Sequence, residues 1–150
     1  MIAADCVGRT IGPFSADIEA GQLRLFAKAT GQTNPPFLDE AAALAAGYRG
    51  LVAPPTFPIC AYMLGQADPM DVFRALGIHV AHMLHAGQCF DYADPICAGD
   101  RITTQGEVAA MVSRKGGALM FLTLALGAVN QLGEAVATQQ LTVAVRRAAA

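Results

Sequence analysis

The second half of the chain, from His79 onward, consists of long apolar segments separated by short polar turns. The segments are rich in β-branched and aromatic residues, which is typical of β-strands. The pattern predicts four strands, over residues 83–92, 101–112, 118–129 and 135–145. Because the connections are short, consecutive strands are expected to be antiparallel neighbours.

The first half of the chain shows the spacing of helices instead. Leu23, Phe26 and Ala27 recur on one helical face, and Gly31 follows as a C-terminal cap. A short strand over residues 14–16 is predicted before this helix, with Asp17 as the N-cap between them. The first half is therefore expected to begin with a strand and an amphipathic helix.

Two more helices are predicted after the Asn-Pro-Pro sequence at 34–36, which prevents the first helix from continuing. Asp39-Glu40 and Gly47 suit the two ends of a short alanine-rich helix over residues 41–46. A mostly buried helix is predicted over residues 56–64. It is expected to begin at Pro54-Pro55, because the first helical turn tolerates proline.

The composition supports one folded domain that associates with other molecules. Hydrophobic residues make up 54% of the 150 residues and charged residues only 15%, which excludes a disordered chain. No linker or repeat divides residues 1–150, so they are predicted to form a single α+β domain. The high apolar content also predicts surface reserved for a partner chain or an apolar ligand. We therefore expect an oligomer.

Charge and hydropathy disfavour nucleic acids and membranes as partners. The net charge is -2, and the only adjacent arginines, Arg146-Arg147, are interpreted as part of a solvated terminus. The longest apolar run, residues 118–129, contains Thr123 and is too short to span a bilayer. The N-terminal sequence has no basic segment ahead of an apolar run, so we expect no secretory signal and a cytoplasmic protein.

The four cysteines show no C-x-x-C spacing, and each is interpreted as a small buried hydrophobic residue. Cys89 lies close in sequence to the histidines, so nucleophilic Cys/His chemistry stays open as an alternative. No metal site is evident, and no cofactor is indicated.

Two segments resemble the MaoC-like hydratases and dehydratases. The first corresponds to their region between the first and central helices and reads LRLFAKATGQTNPPFLDEAAALAAGYRGLVAPPTFP. The second corresponds to a later strand and turn and reads HAGQCFDYADPICAGDRIT. Within the first, AAGYRGLVAPPTF is most similar to the FAS1-like dehydratase branch. The resemblance implies a hot-dog fold, in which a curved antiparallel sheet wraps a central apolar helix.

The resemblance also implies a reaction on acyl thioesters of coenzyme A or acyl carrier protein. Active members add water reversibly to a trans-2-enoyl group, giving an (R)-3-hydroxyacyl group, and use an Asp and a His within G-D-x-N-P-x-H. The matching sequence here is GQTNPPF, so Gln32 and Phe37 replace the catalytic pair. Neither side chain transfers protons near neutral pH.

A third departure concerns the donor that holds the thioester oxygen. In the family this donor is the backbone N–H of a glycine that begins the central helix, whereas this chain has Pro54-Pro55, and proline has no N–H. The three changes resemble the non-catalytic subunit of two-subunit (R)-3-hydroxyacyl thioester dehydratases. The resulting hypothesis is a substrate-shaping chain that pairs with a hot-dog partner carrying the Asp and His.

Two alternatives stay open. One is a self-sufficient homo-oligomeric enzyme using His85, with Gln32 and Asn34 as hydrogen-bonding groups; the other is a catalytically silent acyl-thioester binding protein. Strand alternation would place His85 on one face with Gly87, Cys89 and Asp91. The candidate substrate-binding residues are Asn34, Pro55, Thr56 and Phe57.

The sequence does not show whether certain apolar side chains line an acyl tunnel or pack in the hydrophobic core. The candidates are Phe37, Phe57, Met63 and Leu64. Gly99-Asp100 resembles a family turn in which the aspartate bonds its own backbone, so a structural role is predicted for it.

Overall fold

A five-stranded antiparallel sheet and four short helices form the domain. A computed structural model describes residues 6–146. The strands are β1 (Thr10–Asp17), β2 (Met83–Tyr92), β3 (Arg101–Arg114), β4 (Leu119–Val129) and β5 (Ala135–Arg146). The helices are α1 (Ala20–Ala29), α2 (Glu40–Ala45), α3 (Pro58–Leu64) and α4 (Asp71–Ala75). The first residues of the chain and Arg147 lie outside the described residues, so the interpretations placed there stay predictions.

The sheet has the strand order β1-β3-β4-β5-β2, and every neighbouring pair is antiparallel. β3, β4 and β5 are neighbours as expected. β2, however, pairs with β5 at the edge and does not touch β3 in the sheet, so the prediction that all consecutive strands are neighbours is wrong there. The segment between β2 and β3 carries the chain to the other half of the sheet.

Helix α3 lies against one face of the sheet, where it contacts β1, β3 and β5. Its Ala61 and Tyr62 are each 1% exposed, and β4 supplies alternating buried leucines to the same core. Alternation along a strand places every second side chain on one face, so the apolar residues of β4 meet the helix. This arrangement is the predicted hot-dog architecture.

The ends of α1 and α2 follow the capping chemistry of the sequence, with one correction. The N-cap of α1 is Glu19, whose N–H donates to Gln22 Oε1 at 3.0 Å. Asp17, predicted as that cap, instead belongs to β1 and pairs with Arg101 at 2.9 Å. The Asp39 side chain accepts the Ala42 N–H at 2.7 Å, as predicted for the N-cap of α2.

The central helix begins later than predicted. Pro54 and Pro55 precede it in a turn, and Pro58 takes the first helical position, with Phe57 as the N-cap. Proline is still tolerated for the predicted reason, since the first helical N–H groups have no helical partner. The five-residue α4 was not predicted, because a helix this short has little periodicity to recognise.

None of the helices within residues 6–146 combines the length and the hydropathy needed to cross a membrane.

Candidate functional site

The segment that carries Gln32 and Phe37 is a tight connection between α1 and α2. Gly31 has a φ of 67°, a left-handed conformation that glycine adopts without a Cβ penalty. The N–H of Gln32 then donates to the Ala27 carbonyl at 2.9 Å. Asn34 begins a 3-10 turn and accepts the Phe37 N–H through its carbonyl at 3.1 Å. The backbone, not the Asn34 side chain, holds this turn.

Phe37 is half-buried and lines an open cavity of about 290 Å³, which we call the proline groove. The groove is mainly apolar, and its lining residues are Phe37, Tyr48, Val52, Ala53, Pro54, Pro55, Pro58, Tyr92, Ala93, Asp94, Pro95, Ile96 and Val136. Gln32 is not among them. Phe37 and Pro55, which the sequence predicts at the positions of the catalytic histidine and of the oxyanion donor, thus share one cavity, while Gln32, predicted at the position of the aspartate, lies outside it.

The proline groove offers few groups for chemistry. Asp94 is the one carboxylate among the described residues of its wall, and it pairs with Arg49 at 3.2 Å. Burial raises the pKa of the Tyr92 hydroxyl above its ordinary value, which already lies well above neutral pH, so the hydroxyl is protonated there. No histidine lines the described wall, and Pro55 provides no N–H. The groove can contact an apolar group, but it contains no acid–base pair.

The other predicted substrate-binding residues lie away from the groove. Phe57 is 1% exposed and packs edge-on against Phe26, with ring centroids 5.3 Å apart. Asn34 and Thr56 are exposed and do not line the groove. Of the four substrate-binding candidates, Pro55 alone contributes to its wall.

Arg49 connects the two loops that flank the groove, and sequence reasoning missed it. Its guanidinium bonds the carboxylate of Asp100, which is 2% exposed, and donates to the Pro95 carbonyl at 3.0 Å. Asp100 also accepts the Cys97 N–H at 2.7 Å, so the predicted local backbone bond is present. The carboxylate beside Arg49 raises the pKa of the guanidinium, which stays fully charged.

His85 lies in a different place from the proline groove. It lines a second cavity of about 320 Å³ between α3, α4 and the sheet. We call this cavity the methionine pocket; its lining residues are Ile59, Tyr62, Met63, Pro69, Met70, Phe73, Met83, His85, Leu141 and Val143. Met63, one of the tunnel candidates, lines this pocket, whereas Leu64 is 48% exposed and does not.

A β-bulge decides which face of the sheet His85 occupies. His85 is paired with Val143, but Gly87 is paired with Thr142, so Ala86 is an extra residue in β2. Paired side chains share a face, so His85 points to the face of buried Val143, and Gly87 to the opposite face. Cys89 and Asp91 follow Gly87, so the expected common face with His85 is wrong. A direct pair of His85 with Asp91 or Cys89 is excluded.

The cysteines are partly as expected. Cys6 and Cys97 are buried and Cys60 is half-buried, and burial raises the pKa of the Cys60 and Cys97 thiols. Cys89 is exposed on the outer face of β2, so its interpretation as a buried residue is wrong. All four thiols are free.

Comparison with known proteins identifies the family. A family profile described as "FAS1-like, dehydratase domain region" matches residues 5–139. The chain therefore belongs to this FAS1-like dehydratase family. It is also 35% identical over 147 residues to a UPF0336 protein of Streptomyces griseus, covering 95% of this chain and 93% of that protein. A UPF0336 protein of Leifsonia xyli is 38% identical over 144 residues, covering 93% and 92% of the two chains.

Solved structures show the same fold. One is the C-terminally truncated HadBC (3R-hydroxyacyl-ACP dehydratase) complex of Mycobacterium tuberculosis, with a TM-score of 0.80 and 26% identity, covering 96% of this chain and 99% of that chain. Another is the MaoC-like dehydratase of Rhodospirillum rubrum, with a TM-score of 0.72 and 24% identity, covering 96% and 94% of the two chains. The predicted membership of the MaoC-like dehydratases and the hot-dog fold are confirmed.

Proposed function

We propose that this FAS1-like dehydratase chain is the substrate-shaping subunit of an (R)-specific acyl-thioester hydratase or dehydratase. The observation that carries the proposal is the proline groove. Phe37 and Pro55, at the family positions of the histidine and the oxyanion donor, form part of an apolar wall. Gln32, at the position of the aspartate, cannot ionise and lies outside the groove. The catalytic Asp and His are therefore assigned to a partner hot-dog chain.

The proposed reaction is the reversible addition of water to a trans-2-enoyl thioester of coenzyme A or acyl carrier protein. In the hydration direction, the partner's carboxylate–imidazole pair takes a proton from water as oxygen bonds to C3, and a proton is delivered to C2. This chain contributes apolar walls that position the acyl group and exclude bulk water. No cofactor enters the scheme.

A solved neighbour supports the two-chain arrangement. The HadBC structure, 26% identical to this chain, is a complex and is named a 3R-hydroxyacyl-ACP dehydratase. The HadBC name supports assigning both the reaction class and a partner chain to this protein. The same partner would cover apolar surface that a lone chain leaves in water.

Strand β2 is the edge that we assign to the partner. The opposite edge, β1, contains Pro13, which has no N–H to donate to another strand. β2 contains no proline, lysine or arginine, and its Leu84 and Tyr92 are 59% and 55% exposed. An edge of this composition is suited to adding a strand.

Leu84→Lys is expected to weaken association with the partner by at least about tenfold, or about 1.4 kcal/mol. The new ammonium would have to be desolvated at the assigned edge without a carboxylate beside it. Leu25→Lys, on the exposed face of α1 at 70% exposure, is the matched control and should leave association unchanged. Sedimentation velocity with increasing partner concentration measures both. Equal weakening by the two variants would contradict the assignment of β2.

Reconstitution tests the proposed function directly. The purified chain alone should hydrate crotonyl-CoA and a long trans-2-enoyl-CoA no faster than buffer, followed by absorbance. Coexpression with the genomically nearest hot-dog chain that retains G-D-x-N-P-x-H should give a stable complex with turnover. Replacing the partner's motif Asp by Asn should remove that turnover while the complex persists.

The alternatives give different outcomes in the same assay. Turnover by the lone chain that His85→Ala abolishes would overturn the proposal in favour of a self-sufficient enzyme. In the reconstituted complex, His85→Ala should leave most of the crotonyl-CoA turnover, because proton transfer is assigned to the partner's Asp and His, and His85 lies outside the proline groove. Saturable binding of the thioester without turnover, with or without the partner, would indicate a silent binding protein.

A further inference from the structure

A chain of side-chain hydrogen bonds crosses the helix-facing side of the sheet and ends at His85. Gln139, 3% exposed, donates from Nε2 to the carbonyl of Pro58 at 3.3 Å. Gln88 donates from Nε2 to Gln139 Oε1 at 3.0 Å. Nε2 of His85 lies 3.4 Å from Gln88 Oε1. We call these four residues the glutamine relay.

The direction of every bond in the glutamine relay follows from its first member. A carbonyl oxygen only accepts, so Gln139 must present its NH₂ to Pro58 and its oxygen to Gln88. Gln88 must then present its NH₂ to Gln139 and its oxygen to His85. An amide oxygen also only accepts, so Nε2 of His85 carries a proton. In the neutral imidazole the remaining nitrogen, Nδ1, is an acceptor.

Nδ1 of His85 is a hydrogen-bond acceptor in a pocket whose wall is mostly apolar. The other side chains that line the methionine pocket are apolar apart from Tyr62, and within residues 6–146 His85 makes no further hydrogen bond. Three of the lining residues are methionines, whose flexible thioethers adapt to chains of different shape. The pocket therefore combines an adaptable apolar wall with two polar groups. One is the Tyr62 hydroxyl, which is buried without a hydrogen-bond partner among the described residues. The other is the Nδ1 acceptor of His85, whose protonation pattern is fixed from the start of α3.

We infer that the methionine pocket selects apolar chains that carry a hydroxyl group, with Nδ1 of His85 accepting the hydroxyl hydrogen. An acceptor covered by a plain hydrocarbon chain would lose its hydrogen bond to water and gain none in return. A hydroxylated chain supplies the missing donor. The inference rests on the proposed function, from which the acyl chain of a thioester is taken as the natural ligand, and it makes His85 a specificity-determining residue for that chain.

Two probes of equal size test the selection. 1-Octanol and 1-methoxyheptane have the same number of heavy atoms, but only the alcohol can donate a hydrogen bond. The full-length chain is expected to bind the alcohol about five- to tenfold more tightly, the effect of one neutral hydrogen bond. His85→Leu, at an exposed position, should lose this preference and keep the affinity for the ether. Equal affinities of the unmodified chain for both probes would overturn the inference.

The relay is tested by a nearly isosteric change. Gln88→Met removes both bonds of that residue, so the preference for the alcohol should fall and the His85 Nε2–H, followed by ¹⁵N NMR, should exchange faster with water. Gln140→Met, on the same sheet but on its exposed face, is the control and should change neither. Detection of His85 protonated at Nδ1 instead of Nε2 would also overturn the inference.

These measurements use neither the partner nor turnover. Failure of the alcohol preference would leave the reconstitution result intact. Failure of reconstitution, with the preference present, would reject the proposed function and leave a hydroxyl-selective pocket on this chain.

Discussion

Gly106→Ala is expected to abolish folding of the chain. Gly106 lies in β3 between its partners Ile11 of β1 and Leu126 of β4, so both of its sides face backbone. A Cβ at this position would overlap the carbonyl oxygen of Ala125 and lie 2.8 Å from Leu126 Cα. These are backbone atoms in the middle of the sheet, and they cannot move aside without separating β3 from β4.

The expected loss exceeds about 4 kcal/mol, a large part of the net stability of an ordinary domain. The far-UV circular dichroism of the purified variant should show no native sheet, or its urea midpoint should fall by most of the native value. Native-like stability of Gly106→Ala would mean that the register between β3 and β4 is different.

Glycine-to-alanine substitutions at two other positions are controls, because neither is expected to lower the free energy of unfolding as Gly106→Ala does. Gly127→Ala in β4 places its Cβ no closer than 4.0 Å to a neighbouring atom, so the strand should accept it. Gly21→Ala in α1 has open space and should stabilise the chain by about 0.5–1 kcal/mol, because alanine loses less backbone entropy in a helix.

Arg49→Met is expected to lower the free energy of unfolding by about 3 kcal/mol, because it leaves the buried Asp100 carboxylate without its cation. Asp100 is 2% exposed in the folded chain, so its carboxylate has little contact with water and depends on its protein partners. The Cys97 N–H and the Gln131 amide would be its remaining partners, at 2.7 and 3.3 Å. Urea denaturation at neutral pH measures the loss.

The second ion pair of Arg49 provides the matched control. Asp94 and Arg49 have side-chain exposures of 46% and 42%, and exposed pairs of this kind contribute less than about 1 kcal/mol. Asp94→Asn should therefore cost much less than Arg49→Met. If the two variants lost equal stability, the buried contact with Asp100 would not be what holds the two loops together.

The boundaries of the strands could be predicted closely from the sequence. β2 begins and ends at the predicted residues, and β4 and β5 differ from the prediction by one residue at one end. Period-two patterning and turn residues are local properties, and they remain visible in a single chain. The first strand was predicted too short, because Gly12-Pro13 interrupts the pattern of β1.

The order of the strands was not available from the same local pattern. The segment between β2 and β3 is short enough to suggest a hairpin, yet β2 pairs with β5. Which strand completes the hydrogen bonds of another depends on the packing of the whole sheet around α3. The closeness of two strands along the chain does not by itself predict that packing.

For the candidate site, too, some properties follow from the sequence and others only from the tertiary structure. The sequence by itself determined that Gln32 and Phe37, which it predicts at the positions of the family's catalytic pair, cannot transfer protons, because this inability is a property of the side chains. The pattern of strands and helices also predicted an α+β domain, and the resemblance to the MaoC-like family implied its hot-dog fold.

Only the tertiary structure decided which groups meet. The bulge at Ala86 turns His85 toward the methionine pocket and away from Asp91, because one extra residue exchanges the faces of a strand. Arg49 and Asp100, far apart along the chain, meet because the loops before α3 and β3 fold against each other. The identity of a residue determines which chemistry its side chain can perform. Packing between distant parts of the chain determines which groups that side chain contacts.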